Sequence, residues 1–186
     1  MTAKNRERLR PFDDPELVAQ FLALPEALRR HVDRRKASSR RAPVLAQVAA
    51  AIALLQAIPI RVANLASIDI HRHLKQVRQH VYLVIPESET KNRQPINFKI
   101  PDHALDILRW YIRDYRQQAM RVPTYALFPG RDGGHKTTNT LSLQIQAAIF
   151  QFTGLAFNVH LFRHFAGKAF LDQQPGAYEV VRQVLG

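Results

Sequence analysis

Residues 160–170 read HLFRHFAGKAF. At about 100° per residue on a helix, His160, Arg163, His164 and Gly167 fall within an arc of roughly 100°. Leu161, Phe162, Phe165, Ala166, Ala169 and Phe170 fill the opposite side. A helix buried through its aromatic face would then offer a cation, two imidazoles and a bare backbone position on the other. That set suits an anion with several oxygens, such as a phosphate. Arginine supplies a planar fork of donors, imidazole a donor that also moves protons, and glycine room for close approach. His160 and His164, four apart, also have the spacing of a zinc pair. That is the weaker reading, because the chain has no cysteine and no glutamate at the metalloprotease spacing.

The bulk charge agrees with an anionic partner. Twenty-seven Lys and Arg oppose fifteen Asp and Glu, a formal net charge of +12 over 186 residues. A globular chain this basic points to an anionic partner, the plain alternative being a protein that is merely basic. The run RRHVDRRKASSRR (29–41) is either a solvated helix end or a contact with a phosphate backbone through residues such as Arg40 and Arg41. The loop PGRDGGHKT (129–137) lacks the Gly-Lys-Ser/Thr ending of a nucleotide-binding loop. It reads as a plain exposed loop, touching DNA through Arg131 and Lys136, with His164 a further DNA contact.

Zero cysteines exclude a disulfide scaffold, a thiolate zinc site and a cysteine nucleophile, and suit a reducing compartment. No apolar run approaches a membrane span, and MTAKNRERLRPFDD has no signal-peptide core. The expectation is a soluble cytoplasmic protein with no membrane partner.

Periodicity sets the elements that must position these residues. Residues 1–12 read as a loose basic arm. Leu17, Phe21, Leu24 and Leu28 mark two short helices divided at Pro25. Residues 43–58, PVLAQVAAAIALLQAI, form the clearest core helix, stopped by Pro59. A short helical piece comes next, over Val62 to Ser67. Arg72–Val77, Val81–Pro86 and Ile96–Ile100 read as a three-stranded antiparallel sheet, with His71 and His73 alternating on one side of a strand. The polar turn ESETKNRQ joins the second and third strands. A helix over Asp102 to Met120, capped by Asp102, comes next, then one over 140–153 ended by Gly154, the His160 helix, and a short helix to Leu185.

Three islands bear a family likeness. IPIRVANLASIDI (58–70) resembles the first arginine box of the tyrosine recombinases, the phage-integrase family, with Arg61, then Asn64 where that family more often has Glu, then Leu65. SETKNRQPINFKIP (88–101) resembles the hairpin that carries their active-site lysine, here Lys91. His160-Leu161-Phe162-Arg163 is similar to their His-x-x-Arg box, and EVVRQVLG (179–186) to the stretch before their Leu-Gly-His. The resemblance covers about residues 40–186. It implies an α+β, mostly α-helical fold: a helical catalytic domain of tyrosine-recombinase type with a small three-stranded antiparallel β-sheet on one edge. Residues 1–36 would then be an N-terminal arm with short helices, and 37–186 the catalytic domain.

The resemblance also implies roles. Arg61 and Arg163 would clamp the non-bridging oxygens of a phosphodiester as charge develops there. Lys91 would protonate the leaving 5′ oxygen, and His160 would donate to the phosphate or accept the nucleophile's proton. No metal or cofactor is required, because a phosphotyrosyl ester stores the bond. The partners implied are double-stranded DNA and further copies of the chain on DNA, in a bacterial nucleoid. The family's third-box histidine and nucleophilic tyrosine come after the Leu-Gly tail and have no match up to Gly186, so the expectation is a catalytic domain cut short. Tyr178 precedes that tail and reads as a packing residue. Two functions therefore stand: site-specific recombination or integration through DNA breakage and rejoining, with this stretch inactive alone, or a non-catalytic basic DNA-binding module.

Overall fold

The computed structural model describes residue 7 and residues 9–34 and 41–173. Arg40, Tyr178 and the helix expected up to Leu185 lie outside the described residues.

The core forms around one alanine-rich helix. After α1 (Pro15–Leu22) and α2 (Leu24–Arg34) comes α3 (Ala42–Ala57), buried at every position from Ala46 to Leu55. Its alanines let neighbouring backbones approach closely, while Val48, Ile52, Leu54 and Leu55 fill the space between. Each large side chain so buried contributes roughly 1.5–3 kcal/mol. Asp14 caps α1 by accepting the Glu16 N–H at 2.8 Å, and Pro25 opens α2 within its first turn. Pro59 ends α3, and the buried Ile58 and Ile60 on either side of it fix the course of the chain into the short α4 (Val62–Ala66).

The next turn departs from the expected strand. Asp69 Oδ1 accepts the N–H groups of His71 and Arg72, both at 2.9 Å, and so caps a helical turn, α5 (Ile70–His73). Arg72 and His73 are therefore not strand residues. His71 is exposed and His73 is buried, so the two imidazoles do not share a face. The sheet begins at β1 (Leu74–Val77), followed by β2 (His80–Ile85) and β3 (Ile96–Lys99), antiparallel in the order β1-β2-β3. Leu74 pairs with Leu83, and Ile85 with Ile96. Leu83 and Ile85 turn into the core.

Beyond the sheet lie α6 (Asp102–Asp114), α7 (Arg116–Ala119), α8 (Thr138–Thr153) and α9 (Leu161–Gln173). Pro101, not Asp102, holds the cap position of α6; Asp102 sits in the first turn without a capping hydrogen bond. There its charge still meets the positive end of the helix dipole. The helix expected through Met120 breaks at Tyr115, which is buried with its hydroxyl 3.4 Å from Asp33 Oδ1. Gly154 ends α8 at φ 71°, a left-handed conformation that suits glycine.

The supposed loose arm is anchored at its end: Leu9 and Phe12 are buried. Phe12 packs on Phe165 at 4.8 Å between ring centroids and on Phe21 at 5.0 Å; Phe21 and Phe157 both meet Phe162. This five-ring cluster seats the back of α9, as the aromatic face of the sequence requires.

Candidate nucleic-acid interface

Arg61 sits at the cap position of α4 with extended backbone, φ −72° and ψ 146°, where Val62, Leu65 and Ala66 are buried beneath it. Arg163 projects from the first turn of α9, on a helix whose Leu161, Phe162 and Phe165 are buried. The two side chains line one cavity of about 270 Å³ together with Pro59, Ile60, Asn64, Asn92, Gln94, Pro95, Ile96 and Phe98. Among these described residues there are two guanidiniums and three carboxamides, and no carboxylate.

The electrostatics match that set of residues. Burial, and then the neighbouring Arg61 charge, push the Arg163 guanidinium below the usual arginine range. Its buried Nε has no hydrogen-bond partner among the described residues. A buried donor without an acceptor is costly, and two like charges in one cavity add to that cost. An anion seated between them would relieve both.

His160 precedes α9 rather than lying on it. It is exposed, and its backbone N–H donates to Asn158 Oδ1 at 3.0 Å. His164 is half-buried on α9; burial, with the charges of Arg163 and His160 adding to it, holds its imidazole below the usual histidine range. His160, Arg163 and His164 thus share one electrostatic neighbourhood. Gly167 does not open onto it: the glycine is buried and does not line the cavity, so the close approach expected there is absent. No group of three metal-ligating side chains occurs among the described residues.

Lys91 lies exposed in the turn between β2 and β3, outside the cavity wall, while Asn92 and Gln94 of the same turn line it. Sequence reasoning points to Lys91 and misses these two amides. The polar spacing of Asn92 and Gln94 around that lysine is the available signal.

The remaining basic candidates separate. Arg41 is exposed just before α3, and Arg131 is exposed in the 129–135 turn. Lys136 is not an exposed loop lysine. It is half-buried, and its Nζ donates to Gln47 Oε1 of α3 and to Gln144 Oε1 of α8, the latter at 3.0 Å. Burial pushes its ammonium down to about 8. The described tyrosines do not line the cavity; Tyr111 is buried and donates to the Leu127 carbonyl at 3.0 Å.

The architecture, mostly helical with a three-stranded antiparallel sheet, has the fold of solved site-specific recombinases. Solved structures that carry this likeness include the XerH site-specific recombinase bound to a palindromic difH substrate in a post-cleavage complex, and the same recombinase bound to difH in a pre-cleavage complex. Both have a TM-score of 0.67 at 17% identity and cover 93% of this chain. The chain spans 45% and 46% of the length of those two recombinase chains. No family model and no curated protein sequence matches it. No described helix is long and apolar enough to cross a membrane.

Proposed function

We propose that this chain acts in site-specific DNA recombination, binding duplex DNA and gripping one phosphodiester between Arg61 and Arg163. The observation that carries this is the cavity itself: two guanidiniums face it with no acid among the lining residues, and one of them holds a buried, unpartnered Nε. A phosphate supplies what that cavity lacks, two negative oxygens able to accept paired N–H donors. The net charge of +12 adds long-range attraction to the duplex. The likeness to a DNA-bound recombinase supports the choice of DNA over a small anion.

In this reading the arginines bind the two non-bridging oxygens and stabilise charge that builds there during exchange. His160 and His164 stand beside them as proton donors or acceptors, and Lys91 acts from the hairpin as the acid for the leaving oxygen. No metal ion enters these steps. Arg40, Arg41 and Arg131 belong to the wider DNA surface, whereas Lys136 is engaged by Gln47 and Gln144. Oligomerisation on DNA and a place in the cytoplasm accompany this function.

The test is the affinity of the full chain for a fluorescein-labelled duplex, measured by anisotropy across a salt series. Binding should weaken steeply with salt and fall further in Arg61→Ala/Arg163→Ala. Unchanged affinity in that double variant would overturn the phosphate grip. A nicked duplex that traps covalent adducts then separates a cleaving protein from one that only binds: an adduct assigns a nucleophile to the chain, and its absence favours the binding-module reading.

A further inference from the structure

A second cluster of charged groups lies away from the cavity, at the root of the hairpin that walls it. His73 is 1% exposed, a rare place for an imidazole. Its Nδ1 accepts the backbone N–H of Asp69 at 2.9 Å. The ring proton therefore resides on Nε2, which stands 3.1 Å from Glu89 Oε2. The ring edge and the carboxylate thus meet at ion-pair distance. The Arg72 guanidinium donates to the other oxygen, Glu89 Oε1. One carboxylate is thus held by two residues of α5.

Glu89 ends a 3-10 turn, Glu87–Glu89, and the chain beyond it is tightly folded. The buried Thr90 has its hydroxyl 2.8 Å from the Gln94 carbonyl and 3.1 Å from the Glu87 carbonyl. The Arg93 N–H returns to the Thr90 carbonyl at 3.2 Å, with Arg93 itself in the left-handed region at φ 51°. Residues 87–94 therefore form one knot, fixed at one end by Glu89 and presenting Asn92 and Gln94 to the cavity at the other.

We propose that Glu89 is a positioning residue: clamped by His73 and Arg72, it sets the turn that delivers the Asn92 and Gln94 amides to the Arg61–Arg163 cavity. This rests on the phosphate reading of that cavity. The amides hydrogen-bond the bound phosphodiester or the sugar next to it, while the arginines carry the charge. Glu89 touches no ligand and acts only through the turn.

The sign of its effect discriminates. Removing a carboxylate from a protein that binds a polyanion should tighten binding by bulk electrostatics alone. A positioning role demands the reverse. Glu89→Ala in the full chain should weaken binding to the labelled duplex about fivefold, the range expected for a misplaced hydrogen-bonding group. In an Asn92→Ala/Gln94→Ala background the same substitution should cause no further loss. Backbone amide exchange should quicken in residues 87–94 and stay unchanged in α3. Where Glu89→Ala lowers the melting temperature too far to assay, Glu89→Gln keeps the shape, removes the charge that His73 and Arg72 hold, and runs through the same cycle. Tighter or unchanged binding, or an equal penalty in both backgrounds, overturns the proposal. A neutral Asn92→Ala/Gln94→Ala double variant overturns it too. Arg61→Ala/Arg163→Ala is the control. If those arginines matter and Glu89 does not, the clamp alone fails; if the arginines do not matter, the phosphate reading fails first.

Discussion

Arg61 and Arg163 line the same cavity, where burial first and the neighbouring Arg61 charge second make Arg163 hold its proton less tightly than an ordinary arginine. The protein tolerates this because each is carried on an element anchored elsewhere: α4 by Val62 and Leu65, α9 by the phenylalanine cluster. A cavity lined by two guanidiniums and no carboxylate suits an anion.

Relief of that repulsion should appear as stability. Arg163→Met keeps the apolar stem, which packs, and removes the buried orphan donor and one of two like charges. Its melting point should rise, by an amount equivalent to about 1 kcal/mol, while duplex affinity falls about tenfold. Thermal unfolding and anisotropy on the same preparation check both. A variant that is less stable and binds equally well would contradict the assignment.

Salt dependence counts the phosphate contacts. Each neutralised phosphate contributes a slope of about −0.9 in log affinity against log salt. Losing both Arg61 and Arg163 should make the slope shallower by up to about 2. Losing exposed Arg131 should change it by at most about 1. Identical slopes across these variants would place the DNA elsewhere on the surface.

Arg163→Lys separates charge from geometry. Lysine keeps the positive charge but not the planar fork. If the grip is bidentate, Arg163→Lys should recover only part of the affinity that Arg163→Met loses, while recovering nearly all of its salt slope. Full recovery of affinity would mean a point charge suffices.

What the sequence discloses and what it hides divide along a physical line. Helices whose apolar residues recur locally, such as α3 and α8, stand where periodicity places them, and the opposed faces of α9 set the phenylalanines inward and Arg163 toward the cavity. Their signals lie within a few turns of chain. Alternation in IDIHRH resembles a strand and misplaces His73, whereas the Asp69 cap decides for a helical turn. Glycine-rich surroundings make Lys136 read as an exposed residue; its partners Gln47 and Gln144 come from two helices, and no local pattern announces them. Gly167 fits the open arc by angle, yet is covered by neighbouring structure. Glu89 reaches His73 only once the hairpin has closed.

Acid should loosen the fold through two imidazoles. His73 is held below the ordinary histidine range mainly by burial, against the opposing pull of Glu89, and His164 mainly by burial with Arg163 and His160 adding to it. Both bind a proton more weakly folded than unfolded. Their contribution is therefore fully present above the unfolded value of about 6.5 and is lost as pH falls from there through the folded values. The melting temperature should hold between about pH 8 and 7 and decline below about 6.5. The difference curve between the parent and His73→Gln should shrink over the same acid window. A difference that grows on acidification would reverse the assignment of a neutral buried ring.

Lys136 offers a direct reading of the α3–α8 junction. Its ammonium, pushed down to about 8 by burial, should titrate near that pH in NMR spectra of carbon-13-lysine-labelled protein, well below the ordinary lysine value of about 10.4. The Gln47 and Gln144 oxygens favour the charged form by accepting from it. Gln47→Leu should therefore drive the midpoint lower still, and it should also remove a buried Nε2 that has no partner among the described residues. The linkage has a definite sign. A lysine depressed in the folded state contributes stability above its unfolded value of about 10.4 and loses it as pH falls toward 8, so over that window alkalinity should strengthen this junction. A Lys136 signal that titrates with the exposed lysines would mean that the side chain points to solvent and is free to meet DNA, as the glycine-rich loop alone suggests.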